Sequence, residues 1–260
     1  MFVRRSYLEQ NPVFSIAHDF GYENLVVSGC SFTFNNSETH ASSWPYYLRE
    51  LGGFKKVYDC SLPGAGNYHI SHALQWSLTQ EGLDPSETLV LVMWSGHDRD
   101  DTIAGVSALD PGYTTKHYYT PGVVSAVTGG SILDARGNTR NGLDCMRSIK
   151  TPESRAVENY LYIDALRAWL VHNGYRSVFV DYLDPSLPNR TRNFNIRDHL
   201  PTACQQRLDA VFADCVDIYA FCVKNDLLYE DDLHPSANGH LAWTRQCLIP
   251  CLKSLNIDNK

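Results

Sequence analysis

The sequence predicts an α/β protein built on a parallel sheet, and three observations carry that reading. Residues 87–94 (Glu-Thr-Leu-Val-Leu-Val-Met-Trp) form a near-continuous apolar run, as expected of a central strand covered on both faces. Shorter strand-like runs at 24–27, 57–60 and 177–183 alternate with helix-like segments along most of the chain. Turns rich in small residues follow the runs at 24–27, 57–60 and 87–94, where an open parallel sheet places its ligand sites.

The elements follow in order. Residues 1–23 are mixed and polar and are expected to form an arm packed on the domain. The strand at 24–27 runs into Ser28-Gly29-Cys30-Ser31-Phe32-Thr33, and a polar stretch covers 35–43. Trp44-Pro45-Tyr46-Tyr47-Leu48-Arg49-Glu50-Leu51 reads as a helix, with proline in its first turn and Gly52-Gly53 as its stop. The strand at 57–60 leads through Ser61-Leu62-Pro63-Gly64-Ala65-Gly66-Asn67 into a helix over 68–80. After the 87–94 run come Ser95-Gly96-His97-Asp98.

Residues 102–152 lose periodicity and are rich in Gly, Thr, Ser and Tyr, including Tyr113, Tyr118 and Tyr119. They are expected to be an insertion over one end of the sheet. A helix over 153–173 shows Val157, Leu161, Leu166, Trp169 and Leu170 near a helical stripe, and Gly174 ends it. A strand at 177–183, a helix around 201–212 and a last helix over 236–255 complete the chain. All 260 residues are expected to form one domain, a length sufficient for a full core.

Composition narrows the function classes. With 22 basic and 29 acidic side chains the net charge is −7, and no basic cluster offers a nucleic-acid footprint. No run approaches the ~18 apolar residues of a membrane span. Met1-Phe2-Val3-Arg4-Arg5-Ser6-Tyr7-Leu8-Glu9 lacks the apolar core of a secretory signal, so a cytoplasmic location is expected, or a virion-associated one if the chain is phage-encoded. The eight cysteines include no CxxC pair, which argues for reduced, buried thiols over a zinc site. Cys247 and Cys251, four apart, are expected on one core-facing side of a helix. No second His/Asp cluster stands at ligand spacing beside His97 and its acidic neighbours, so neither metal nor cofactor is expected.

Four segments fall at carboxyl ends of strands or just before a helix: Gly29-Cys30-Ser31, Pro63-Gly64-Ala65-Gly66-Asn67, Ser95-Gly96-His97-Asp98 and Asp231-Asp232-Leu233-His234. Together they supply a serine, a histidine, a carboxylate and free backbone amides, the parts of a serine hydrolase. A serine hydroxyl needs a base, and a histidine near pKa ~6.5 is one at neutral pH. Asp231, three residues before His234, can reach its second ring nitrogen; read alone, Asp231 or Asp232 is instead a helix cap. Gly64 and Gly66 let the backbone aim an amide at an oxyanion, or simply make a βα turn. Asn67 adds a side-chain donor or caps the next helix. His97 donates to the oxyanion or sits in a charged surface turn with Asp98, Arg99, Asp100 and Asp101.

In this order the four segments resemble the SGNH hydrolases, the GDSL esterase/lipase superfamily. Gly29-Cys30-Ser31-Phe32 stands where that family has Gly-Asp-Ser-Leu, and the match implies Ser31 as nucleophile. Gly64 fits the oxyanion glycine. Ser95-Gly96-His97-Asp98 aligns with Gly-x-Asn-Asp, so His97 takes the place of the oxyanion asparagine. Asp231-Asp232-Leu233-His234-Pro235 matches Asp-x-x-His fully. The resemblance spans residues 24 to about 245, and its first block and Trp-Pro-x-x-Leu helix look like a soluble branch found in phage and bacterial genomes.

It implies a flavodoxin-like α/β/α sandwich of about five parallel strands. It also implies a Ser31–His234–Asp231 triad, with an oxyanion hole drawn from Ser31, Gly64, His97 and Asn67. The expected activity is hydrolysis of a small-molecule or carbohydrate ester, O-acetyl groups on a sugar among the candidates. Two other readings share the fold: an acyltransferase using the same serine, and a non-catalytic carbohydrate-binding or virion-associated module.

Overall fold

The computed structural model describes residues 17–34, 43–63, 65–96, 99–103, 123–127, 131–133, 139–141, 151–182, 200–229, 232–255 and 257. Four parallel strands form the main sheet: β1 (Asn24–Ser28), β2 (Lys56–Asp59), β3 (Thr88–Trp94) and, later in the chain, β8 (Arg176–Asp181), in the order β2-β1-β3-β8. Every residue of β1 and β3 is buried, which is why both strands read as unbroken apolar runs rather than alternating ones. Their register sets Ser28 beside Val92, so the turn after β1 emerges level with the end of β3.

Helix α1 (Trp44–Gly52) follows β1, and α2 (Asn67–Glu81) follows β2. Four short strands come next: β4 (Arg99–Ile103) pairs antiparallel with β5 (Val123–Val127), and β6 (Ser131–Leu133) with β7 (Thr139–Asn141). β4 starts at Arg99, three residues before the stretch expected as an insertion, and the other three strands lie within it. Residues 104–122, 128–130, 134–138 and 142–150 of that stretch, the three tyrosines among them, lie outside the described residues. Thr151 then caps α3 (Pro152–His172), its Oγ1 accepting from the Ser154 amide at 3.2 Å. Beyond β8 come α4 (Thr202–Asp209), α5 (Ile218–Lys224), the ribbon of β9 (Leu228–Tyr229) and β10 (Asp232–Pro235), and α6 (Ala237–Trp243). A π turn over Thr244–Leu248 joins α6 to α7 (Ile249–Ser254), just before Pro250, which has no amide hydrogen to continue the ladder.

The structure thus has the α/β three-layer plan expected, with one strand fewer than the anticipated five. The place of the fifth is taken by a single parallel bridge, Phe179 to Phe212, with the Ala213 amide donating to the Phe179 carbonyl at 2.9 Å. Only a few residues separate the end of α4 from Asp214, too short a run to extend the pairing. The α3 stripe also differs from the reading above. Val157 and Leu161 are exposed, and the buried face is Arg155, Asn159, Ile163, Leu166 and Leu170. That face is polar in its first half because it meets the polar end of the sheet, where Asn159 bonds to Asn67.

Three tryptophans anchor the core: Trp44, Trp94 and Trp243 are fully buried. Trp44 and Trp243 meet edge to face at 6.1 Å, tying α1 to α6, and the Trp243 indole donates to the Val216 carbonyl at 2.7 Å. The arm before β1 packs from Ala17 onward, with the Ala17 and His18 amides donating to the Leu51 carbonyl. Cys251 is buried and Cys247 half-buried, and both are free thiols.

Gly29 is where packing dictates sequence. A Cβ there would lie 2.1 Å from Thr33 Oγ1 and 3.1 Å from the Met93 carbonyl oxygen. Gly29→Ala is expected to lose roughly 1–3 kcal/mol of stability, the range for overpacking, and urea denaturation measures it.

Candidate active site

Ser31 opens a single turn at the end of the β1 segment. The Cys30 carbonyl accepts from the Thr33 and Phe34 amides at 2.9 and 3.0 Å, which closes the turn and leaves the Ser31 amide without a partner among the described residues. The side chain is half-exposed, so a substrate can reach it.

His234 arrives from the other end of the chain on β10. Antiparallel pairing with β9 fixes one side of this strand. On the other side Ser236 takes over at once: its amide and hydroxyl both donate to the Leu227 carbonyl at 2.8 Å, and its Oγ accepts from Gly239 N to cap α6. Between ribbon and cap the imidazole has little freedom. Phe32 lies against it with ring centroids 4.8 Å apart, and Phe32 in turn packs on Tyr182 and Tyr219.

The result is a distance of 2.7 Å between His234 Nε2 and Ser31 Oγ. With the imidazole proton on Nδ1, Nε2 accepts the serine hydroxyl, the arrangement general-base activation requires. The two residues singled out as nucleophile and base in the sequence are thus brought together. Asp231, Gly64 and His97 lie outside the described residues.

Asn67, proposed from the sequence as a further oxyanion donor or a cap, is otherwise engaged. It is almost wholly buried. Its Nδ2 donates to the Ser95 carbonyl at 3.1 Å and to Asn159 Oδ1 at 2.6 Å, and its Oδ1 accepts from the Ser95 amide at 2.8 Å. Both amide hydrogens are used, so Asn67 has none to give an oxyanion. It pins the end of β3 to α2 and α3. Asn159 Nδ2 donates to the Arg155 carbonyl at 2.8 Å and so completes the buried pair. Asn159 was missed in the sequence; an asparagine mid-helix, four residues before the apolar Ile163, was the available signal.

Asp101, on β4, was read only as part of a charged surface turn. Its carboxylate caps α2, with Oδ1 accepting from Gly66 N at 2.9 Å and Oδ2 from His69 N at 2.7 Å. A Cβ on Gly66 would sit 2.7 Å from Asp101 Oδ2, so this approach needs glycine. Burial, opposed by the Asp101 charge, holds the His69 imidazole below the usual histidine value.

A second histidine lies beneath the site. His240 is buried on α6, and its Nδ1 has no hydrogen-bond partner among the described residues. Burial first, and the nearby His234 second, push it down to about 3. Among the described residues no three His, Cys, Asp or Glu side chains group as a metal site would, and no helix is long and apolar enough to cross a membrane.

No family model matches the chain, and no curated protein matches it. Solved structures similar to it include the psychrotrophic esterase EstA of Pseudoalteromonas sp., 12% identical with a TM-score of 0.49, over 90% of this chain and 98% of that one. Another is a GDSL-like lipase of Bacteroides thetaiotaomicron, 12% identical with a TM-score of 0.45, over 90% and 89% of the two chains. A member of the lipolytic G-D-S-L family from Veillonella parvula is 9% identical with a TM-score of 0.45, over 85% and 94%. These are distant likenesses of chain path.

Two outcomes follow from the geometry. Asn67→Ala leaves the buried Ser95 amide and Asn159 Oδ1 without their Asn67 partner, so a loss of about 1–3 kcal/mol is expected in urea unfolding. His240 has a folded pKa near 3, below the ordinary histidine value. The unfolded chain therefore binds the extra proton first as pH falls below about 6.5. Stability is full above that pH and declines toward 3, by up to ~1.4 kcal/mol per pH unit from this group. His240→Gln is expected to flatten the fall in melting temperature between pH 7 and pH 4.

Proposed function

We propose that this chain is a serine esterase. The observation that carries the reading is the 2.7 Å contact between His234 Nε2 and Ser31 Oγ at the carboxyl edge of a parallel sheet. In the proposed reaction His234 takes the Ser31 proton as Oγ attacks the ester carbonyl. The charge that develops on the carbonyl oxygen is met by the Ser31 amide, which has no other partner in the turn. The Gly64 amide and a His97 N–H are the further donors of this proposal. His234 then passes its proton to the leaving alcohol, and water activated by the same imidazole releases the acid. Asp231 is assigned to the second imidazole nitrogen, fixing its tautomer.

The aromatic setting suits this role. Phe32 against the imidazole excludes water from one side of the base and restricts its rotation. The substrate class is proposed as a small-molecule or carbohydrate ester.

Fluorophosphonate treatment followed by intact mass and peptide mapping tests the assignment. One adduct on Ser31 is expected, absent in Ser31→Ala and strongly slowed in His234→Ala. Hydrolysis of p-nitrophenyl acetate should fall by on the order of 10³-fold or more in either variant. Unchanged hydrolysis in Ser31→Ala would remove the serine from the reaction, and a folded protein that takes no label would point to a binding module.

A further inference from the structure

A cavity of about 290 Å³ opens on the outer flank of β8, and β3 and β8 stand between it and β1, the strand that leads to Ser31. It exists because the fifth strand is reduced to one bridge. Phe179 is paired by Ala213, while Ser177, two residues earlier and on the same edge by strand alternation, opens onto the cavity. Its lining is mixed: apolar side chains, Val171, Phe212 and Ile257 among them, stand beside the polar Arg167, Arg176 and Ser177. Among the described residues no Asp or Glu lines it, in a chain whose net charge is −7.

Two guanidinium groups do line it. Arg176 gives one hydrogen bond, from Nη2 to the Leu255 carbonyl at 3.1 Å. Arg167 makes no hydrogen bond or ion pair among the described residues. The nearest acid in sequence, Asp164, accepts from Arg207 Nη2 on its Oδ1 instead, at 3.1 Å. An arginine with no carboxylate partner among the described residues, beside a second with donors to spare and next to apolar side chains, fits a ligand with a charged head and an apolar body.

We infer that the β8 flank is a second binding site, for a small aliphatic carboxylate, held by Arg167 and Arg176 with its chain against Val171, Phe212 and Ile257. A cavity of this size holds a short aliphatic carboxylate such as octanoate. This site is separate from Ser31 and does not depend on the esterase reading.

Calorimetric titration of octanoate into the full chain tests it. Saturable binding is expected, weakened about tenfold or more in Arg167→Ala, the loss for a charge-assisted hydrogen bond. Val171→Glu, a change at an exposed position that leaves the fold intact, should weaken it comparably by repulsion. Octanol lacks the charge and inorganic phosphate lacks the apolar body, so each should bind at least about tenfold more weakly than octanoate. Absence of binding, equal affinity for phosphate, or octanoate affinity unchanged in both variants would overturn the inference. The last result would place octanoate elsewhere on the protein.

Discussion

The hydrogen bond between His234 and Ser31 joins residues 203 positions apart across 2.7 Å, and much of the fold serves to make that meeting repeatable. Each partner sits on a short, irregular piece of chain with little stiffness of its own. Ser31 rides on one closed turn, and its entry is fixed by Gly29, which lets the chain pass against Thr33 and the Met93 carbonyl. His234 sits on a two-stranded ribbon that would be marginal alone. It is held because Ser236 anchors to Leu227 on one side and caps α6 on the other. The helix then carries that order into the core through Trp243 and Trp44.

A second constraint operates at the end of β3. A strand leaving a fully buried sheet exposes amide and carbonyl groups that water does not reach, and these must be paired. Asn67 pairs both groups of Ser95 with one side chain and uses its remaining hydrogen on Asn159. The same residue therefore fixes where α2 begins, and with it the loop from Ser61 to Gly66. Asp101 reinforces this from the β4–β5 ribbon by binding the Gly66 and His69 amides. The β4–β5 ribbon is thus tied to the loop beside the candidate site.

Much of this was legible in the chain. The apolar runs located the strands, because a strand buried on both faces has no polar positions to hide it. Helix bounds were legible from Pro45, Gly53 and Gly174. Ser31 and His234 were legible because a serine at a strand end and a histidine before a capped helix are both local patterns. Polar residues that serve the interior were harder to read. Asn67 looked like a donor for substrate and Asp101 like surface charge, since a side chain's partner is set by segments far away in sequence. The stripe on α3 was misread for the same reason: Val157 and Leu161 are apolar, but that side of the helix is left exposed.

By itself the sequence determined the α/β alternation, the burial of its central strands and the two residues of the proposed proton transfer. These follow from periodicity and local turn chemistry, which act within a few residues. The tertiary structure decided the rest. It brought Ser31 and His234 into contact, turned Asn67 inward, set Asp101 on α2 and reduced the fifth strand to one bridge beside an open cavity. Each of these depends on which distant groups share a boundary once water is excluded, and no local pattern encodes that.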